Sequence, residues 1–209
     1  MRRNRGRLAV AAVFTALVLI GGGLWVWKPW QSVELPASAC WGLIERDQVR
    51  PLVGDDGKGH ETEVIGDLSG RSSHAQCGIA WQPGYTAVVV NVFQTDERSY
   101  RSDLEMYDAA PDPGRSRYLP IDFGTGVKGW LQEGLQPVLT FPCDSGRQPL
   151  ARNVYRKISV SGAFFLSDLS AKKRTQVFVD VAHRTAREIV RQEGCPDVRI
   201  GERAPVVAG

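Results

Sequence analysis

Four cysteines, at positions 40, 77, 143 and 195, restrict this chain more than any other feature. No two are spaced as C-x-x-C, so zinc-ribbon and thioredoxin-like arrangements fit poorly. Four cysteines allow three disulfide pairings, and every one of them ties together distant stretches of chain. Disulfides persist in an oxidising environment, so the side of the membrane on which the cysteines lie decides their chemistry.

The N-terminus points outward. The chain opens "MRRNRGR", with four arginines and no acid, and residues 8–27 then run for twenty positions without a charge. As a helix this run is about 30 Å long, the thickness of a bilayer's hydrocarbon core. Trp25, Trp27, Lys28 and Trp30 at its end have the composition of an interfacial belt, where amphipathic rings and a cation sit among head groups. The expected organisation is a cytoplasmic basic tail over 1–7, a transmembrane signal anchor over 8–27 and a linker over 28–38. An extracytoplasmic domain over 39–198 and a flexible tail over 199–209 follow. The positive-inside rule keeps the arginines in the cytoplasm and places the domain outside a cell membrane crossed once. Two alternatives export the same domain. Residues 8–20 have signal-peptide length and Ala37-Ser38-Ala39 has the form of a cleavage site, although it lies far beyond Ile20. Cys40 as a lipidated terminus lacks the expected leucine three positions earlier, where Ala37 stands.

A sequence pI of 8.7 suggests a nucleic-acid ligand, but the anchor holds five of the 26 basic residues and none of the 23 acids. The remainder carries a net charge of −2 and no nucleic-acid motif, so nucleic acid is not an expected partner. Residues 31–140 carry a net −7 and residues 141–209 a net +5. The second half therefore offers a basic face, with Arg184, Arg187 and Arg191 on one helical stripe, to anionic lipid or wall polymer.

Periodicity supplies the elements. "ACWGLIERDQVRPLVG" reads as a short helix that Gly54 stops, and "GDDGKGH" as a turn-rich loop. "ETEVIGDL", "HAQCGIAW" and "YTAVVVNVFQT" read as strands. "DERSYRSDLEMYDAA" reads as a helix capped by Thr95 or Asp96. "GVKGWLQ" and "QPVLTFPC", joined at Glu133-Gly134, and "NVYRKISVSGAFF" are three further strands. The long segment "SDLSAKKRTQVFVDVAHRTAREIVRQEG" is a helix whose apolar stripe is Phe178, Val181, Ala182, Thr185 and Ile189. Its charged side carries Arg174, Asp180 and Glu188 among others, and Gly194 is its C-terminal cap. Helix, three strands, helix, three strands, helix implies an α+β fold, a largely antiparallel sheet with packed helices. Each half then has one cysteine at a helix end and one in a strand, which favours Cys40–Cys77 and Cys143–Cys195.

"CWGLIERDQVRPLVG", followed by "CGIAW" and an apolar strand, resembles a group of exported, membrane-anchored actinobacterial envelope proteins of unknown function. The resemblance covers residues 38–95 and implies a PsbP/Mog1-like α/β/α sandwich. It brings no catalytic residues; such proteins carry a lipid or helix anchor, and this chain departs from them in lacking a lipobox.

Chemistry-bearing motifs are sparse. His183 reads as a surface residue of the last helix, His74 precedes a strand and His60 lies in the glycine-rich loop. Ser161 has no G-x-S-x-G elbow around it. Asp55, Asp56, His60, Glu61 and Glu63 lie within nine residues, but their spacing is not that of a calcium loop. "GTGVKG" lacks the G-K-[ST] ending of a phosphate loop. Trp41, Trp81 and Trp130 read as core anchors that become a glycan or peptide site if they border a cleft. No catalytic, cofactor or metal residues are predicted. The expected function is a non-catalytic binding or interaction module of the cell envelope, its partner an envelope protein or an anionic wall polymer. The alternatives are a hydrolase acting on an envelope polymer and a structural spacer without ligand.

Overall fold

In "YRKISVS" the even-numbered residues Arg156, Ile158 and Val160 are buried and the odd-numbered ones only half-buried. This period of two is that of a strand with a well-covered face and a thinly covered one, and it organises the whole molecule. A computed structural model describes residues 33–54, 57–81, 84–109, 118–132, 136–144, 154–163 and 168–207. The first part of the chain forms β1 (Val33–Glu34), β2 (Ser38–Ala39), β3 (Ile44–Glu45), a one-turn α1 (Arg46–Val49), β4 (Gly57–Glu61), β5 (His74–Trp81) and β6 (Tyr85–Thr95). Helix α2 (Glu97–Asp108) leads to β7 (Tyr118–Pro120), β8 (Gly124–Thr125), β9 (Lys128–Gln132), β10 (Gln136–Pro142) and β11 (Tyr155–Ser161). Helix α3 (Ala171–Glu193) and β12 (Arg199–Ile200) complete the described chain. The fold is α+β. Eight strands make one sheet in the order β1-β4-β5-β6-β11-β10-β9-β7, antiparallel throughout except where β1 joins β4.

Register assigns the faces. Ala75, Cys77 and Ile79 of β5, Val90 and Val92 of β6, Ile158 and Val160 of β11, and Leu139 and Phe141 of β10 share one face. Helix α3 covers it with Phe178, Val181, Ala182, Thr185 and Ile189, the expected stripe, all buried. On the other face Tyr100 of α2 stacks on Tyr155 with centroids 4.0 Å apart, and Asp103 pairs with Lys157 at 2.8 Å. Tyr107, Trp130 and Tyr118 form a small second core there. The caps are those a helix requires. Asp96 accepts from the Ser99 N–H at 2.7 Å, and Gly194 closes α3 at φ 70°.

Several expectations change. The glycine-rich "GDDGKGH" reads as a loop, yet Gly57–Glu61 is strand β4, and its glycines make room for distant side chains: a Cβ at Gly57 would collide with the Trp81 ring and one at Gly59 with Leu35, with the same ring close by. The strand expected at 61–68 is consequently irregular beyond Glu61, apart from a bridge between Ile65 and Gln76. The helix expected from residue 39 starts only at Arg46. Before it, Cys40, Trp41 and Gly42 all take left-handed φ angles and turn β2 back onto β3. Residues 33–38, read as linker, already include the edge strand β1 and the start of this hairpin.

A further change concerns the C-terminus, read as a flexible tail. Within 199–207, β12 pairs with β8, Gln176 Nε2 donates to the Pro205 carbonyl, and the Val207 N–H donates to Gln176 Oε1. His183, read as a surface residue, is buried beneath this segment, and its Nε2–H donates to the Gly201 carbonyl at 2.7 Å. Arg174, expected on the charged side, is also buried and donates to the Leu169 carbonyl. Burial is the largest cause holding the His183 imidazole below its ordinary pKa. The Gly201 bond and Asp180 pull the other way, and Arg187 and Arg184 add to the depression. Its contribution to stability is complete above the unfolded-state value near 6.5 and is lost as pH falls through and below that value. Wild-type unfolding free energy should therefore fall between about pH 7 and pH 5 more steeply than that of His183→Gln, which keeps a donor for Gly201. Denaturant titrations across this range check the difference, and equal slopes would refute it.

Candidate functional site

Both expected disulfides form. Cys40–Cys77 and Cys143–Cys195 have Cα separations of 5.3 Å and 4.6 Å, within the range a disulfide requires. All four cysteines are buried, so the bridges are structural. Glu61 supports the first. Its carboxylate accepts the N–H of left-handed Cys40, with Oε1 3.5 Å from the Cys77 sulfur. The carboxylate and the two sulfurs are grouped as metal ligands would be, but the disulfide occupies both sulfurs.

The second bridge stands beside the most charged point of the core. Arg156 of β11 and Glu193 of α3 are 4% and 2% exposed. Nε donates to Oε1 at 2.8 Å and Nη2 to Oε2 at 2.6 Å, a two-pronged contact. Glu193 Oε2 lies 3.4 Å from the Cys143 sulfur. Arg156 Nη1 has no partner among the described residues, and the shallow depression above, between Asp67, Ser72 and Gln94, has room for about one water.

The expected site residues are dispersed. Trp25, Trp27, Lys28 and Trp30, with the span over 8–27, lie outside the described residues, as do Asp55, Asp56 and the Glu133-Gly134 turn. Among the described residues no helix is long and apolar enough to cross a membrane. Arg184, Arg187 and Arg191 each have an intramolecular partner: Glu45 at 3.0 Å, the Glu202 carbonyl at 3.2 Å, and Glu188. His60, His74 and His183 lie on β4, β5 and α3. Trp81 and Trp130 are buried, and Trp41 is half-buried, its Nε1–H donating to the Gly66 carbonyl.

A different surface brings polar groups together. Helix α2 meets its face of the sheet at Tyr155, Lys157 and Trp130. The rest of that face, over β5, β6 and β11, carries successive cross-strand rows: His74, Phe93 and Lys157; Gln76, Asn91 and Ser159; Gly78, Val89 and Ser161. The His74 and Phe93 rings stack with centroids 4.7 Å apart and planes within 5°. Phe93 is 36% exposed and the neighbouring Ile65 46%. In these three rows Lys157 alone carries a fixed charge, and it is spent on Asp103. Burial would lower its pKa, but the hydrogen bonds with Asp103 and Tyr107 outweigh burial and hold the ammonium above its ordinary value. The surface therefore presents an exposed Phe93 stacked on a half-buried His74, flanked by half-buried amides and hydroxyls. Sequence reading missed these residues individually, although the alternation of Gln76, Asn91 and Ser159 with Cys77, Val90 and Ile158 was visible.

No family model matches the chain, and no curated protein or solved structure matches it.

The buried ion pair makes a clear energetic prediction. Glu193→Gln should destabilise by about 3–5 kcal/mol, because it strands a buried guanidinium, whereas the double change Arg156→Met with Glu193→Leu should restore most of the loss. Chemical denaturation of the three proteins checks this. A double variant as unstable as the single one would show that the pair does more than satisfy itself.

Proposed function

We propose that this protein is an extracytoplasmic module, held to the cell membrane by an uncleaved N-terminal anchor, that binds a neutral glycan of the cell envelope without altering it. The open sheet face carries this reading. Phe93, exposed and backed by the stacked His74 ring, offers an apolar surface against which the C–H face of a sugar ring rests, and Gln76, Asn91, Ser159 and Ser161 offer donors and acceptors for its hydroxyls. The lack of uncompensated charge in these rows favours a neutral ligand over an anionic wall polymer. The partners already held by Arg184, Arg187 and Arg191 argue the same way. Export is supported by two buried disulfides and by the arginine-flanked apolar run. Helices on opposite faces of one antiparallel sheet support the PsbP/Mog1-like α/β/α sandwich, and with it the likeness to actinobacterial envelope proteins.

An array of neutral oligosaccharides built from glucose, mannose and N-acetylglucosamine, probed with the full-length protein in detergent, tests this. At least one class should bind. Phe93→Ala should weaken that binding by about tenfold or more and Asn91→Ala by several-fold, both with little change in melting temperature because Phe93 is exposed and Asn91 lies outside the buried core. Failure to bind any glycan, with Phe93-dependent capture of a protein instead, would replace this reading with a protein-interaction module.

A further inference from the structure

The position at which the chain enters the sheet fixes how the domain stands relative to its anchor. Val33 pairs with Gly57 at one end of the sheet, where Trp81 pairs with Tyr85. Helix α3 runs from this near end to the far end, where Cys195 is bridged to Cys143 and Glu193 to Arg156. The C-terminal segment runs back the other way, from β12 past His183 to Gln176 in the second turn of α3. Three separate parts of the chain, Tyr85, the first turn of α3 and Val206, therefore converge on the end where the chain enters.

Their chemistry is that of an interface with lipid. Val206 is 83% exposed and Tyr85 43% exposed. Lys172 and Lys173 are exposed on the first turn of α3, and neither has an ion pair among the described residues. A cationic first turn is unfavourable for a helix, whose N-terminus is itself positive, so α3 itself does not explain these lysines. The chain between Lys28 and Val33 can span at most about 17 Å when fully extended.

We infer that the near end of the domain rests on the outer surface of the same bilayer that the anchor crosses. Tyr85 and Val206 lie at head-group depth, and Lys172 and Lys173 lie against anionic phospholipid phosphates. The inference rests on the anchor proposed above. It also sets the height of the glycan face, which rises away from the membrane along β6, a strand about 36 Å long.

The test uses the full-length protein in phosphatidylglycerol nanodiscs, with one nitroxide attached through Leu17→Cys, Val206→Cys or Arg98→Cys in turn. The four native cysteines are paired and do not react. Oxygen and nickel-chelate accessibility should place residue 17 in hydrocarbon, residue 206 at head-group depth and residue 98, at the far end, in water. Residue 206 as aqueous as residue 98, with residue 17 in hydrocarbon, overturns the inference and leaves the anchor standing. Residue 17 in water overturns both. Adding Lys172→Gln and Lys173→Gln should shift residue 206 toward the aqueous value in phosphatidylglycerol but not in phosphatidylcholine. An unchanged depth in both lipids removes the lysines from the contact.

Discussion

Helix α3 is fastened to the sheet at its far end by two bonds of different kinds, the Cys143–Cys195 bridge and the buried Arg156–Glu193 pair. Almost everything else in the molecule depends on this attachment. The helix supplies the cover for the buried face of the sheet, and its outer side is the floor on which the C-terminal segment lies. The two bonds also reinforce one another. The disulfide holds the end of α3 beside β10, and this brings Glu193 onto Arg156 of the next strand. A bridge closing a separation of 52 residues contributes about 4 kcal/mol on the chain-entropy account, comparable with the cost of breaking the ion pair.

The other bridge works at the opposite edge. Cys40 sits in a left-handed turn that a non-glycine residue rarely adopts. It is held there by Cys77, by Glu61 through its own N–H, and by Trp41 reaching Gly66. The N-terminal segment is thereby pinned across β4 and β5 and covers an edge of the sheet that would otherwise be open to pairing with another chain. The two disulfides thus act on one sheet from its two halves, which leaves most of the α2 side free to carry the polar rows.

The strongly periodic elements were legible from sequence because local pattern and tertiary environment agree in them. "HAQCGIAW" and "YTAVVVNVFQT" coincide with β5 and β6, and the α3 stripe is buried as the spacing requires. Failures arose where distant partners decide. "GDDGKGH" gives no strand signal because its glycines serve the Trp81 ring, some twenty residues on. His183 looks exposed beside two arginines until the segment around Gly201 folds over it. The candidate site was less legible still. Phe93 and Asn91 look like ordinary positions of an apolar strand, and only the register with β5 and β11 sets them beside His74, Gln76 and Ser159. Arg156 was hidden for a related reason. It occupies a core position in the alternation with Ile158 and Val160, and its partner lies 37 residues away on another element.

The account rests on both halves of the chain being closed locally onto one sheet in an oxidising compartment. Peptide mapping of the native protein, isolated from its own cells and digested without reduction, tests this most directly. The account predicts peptides joining Cys40 to Cys77 and Cys143 to Cys195, with no unlinked cysteine. A Cys40–Cys195 or Cys77–Cys143 link, or cysteines recovered as free thiols, would contradict it.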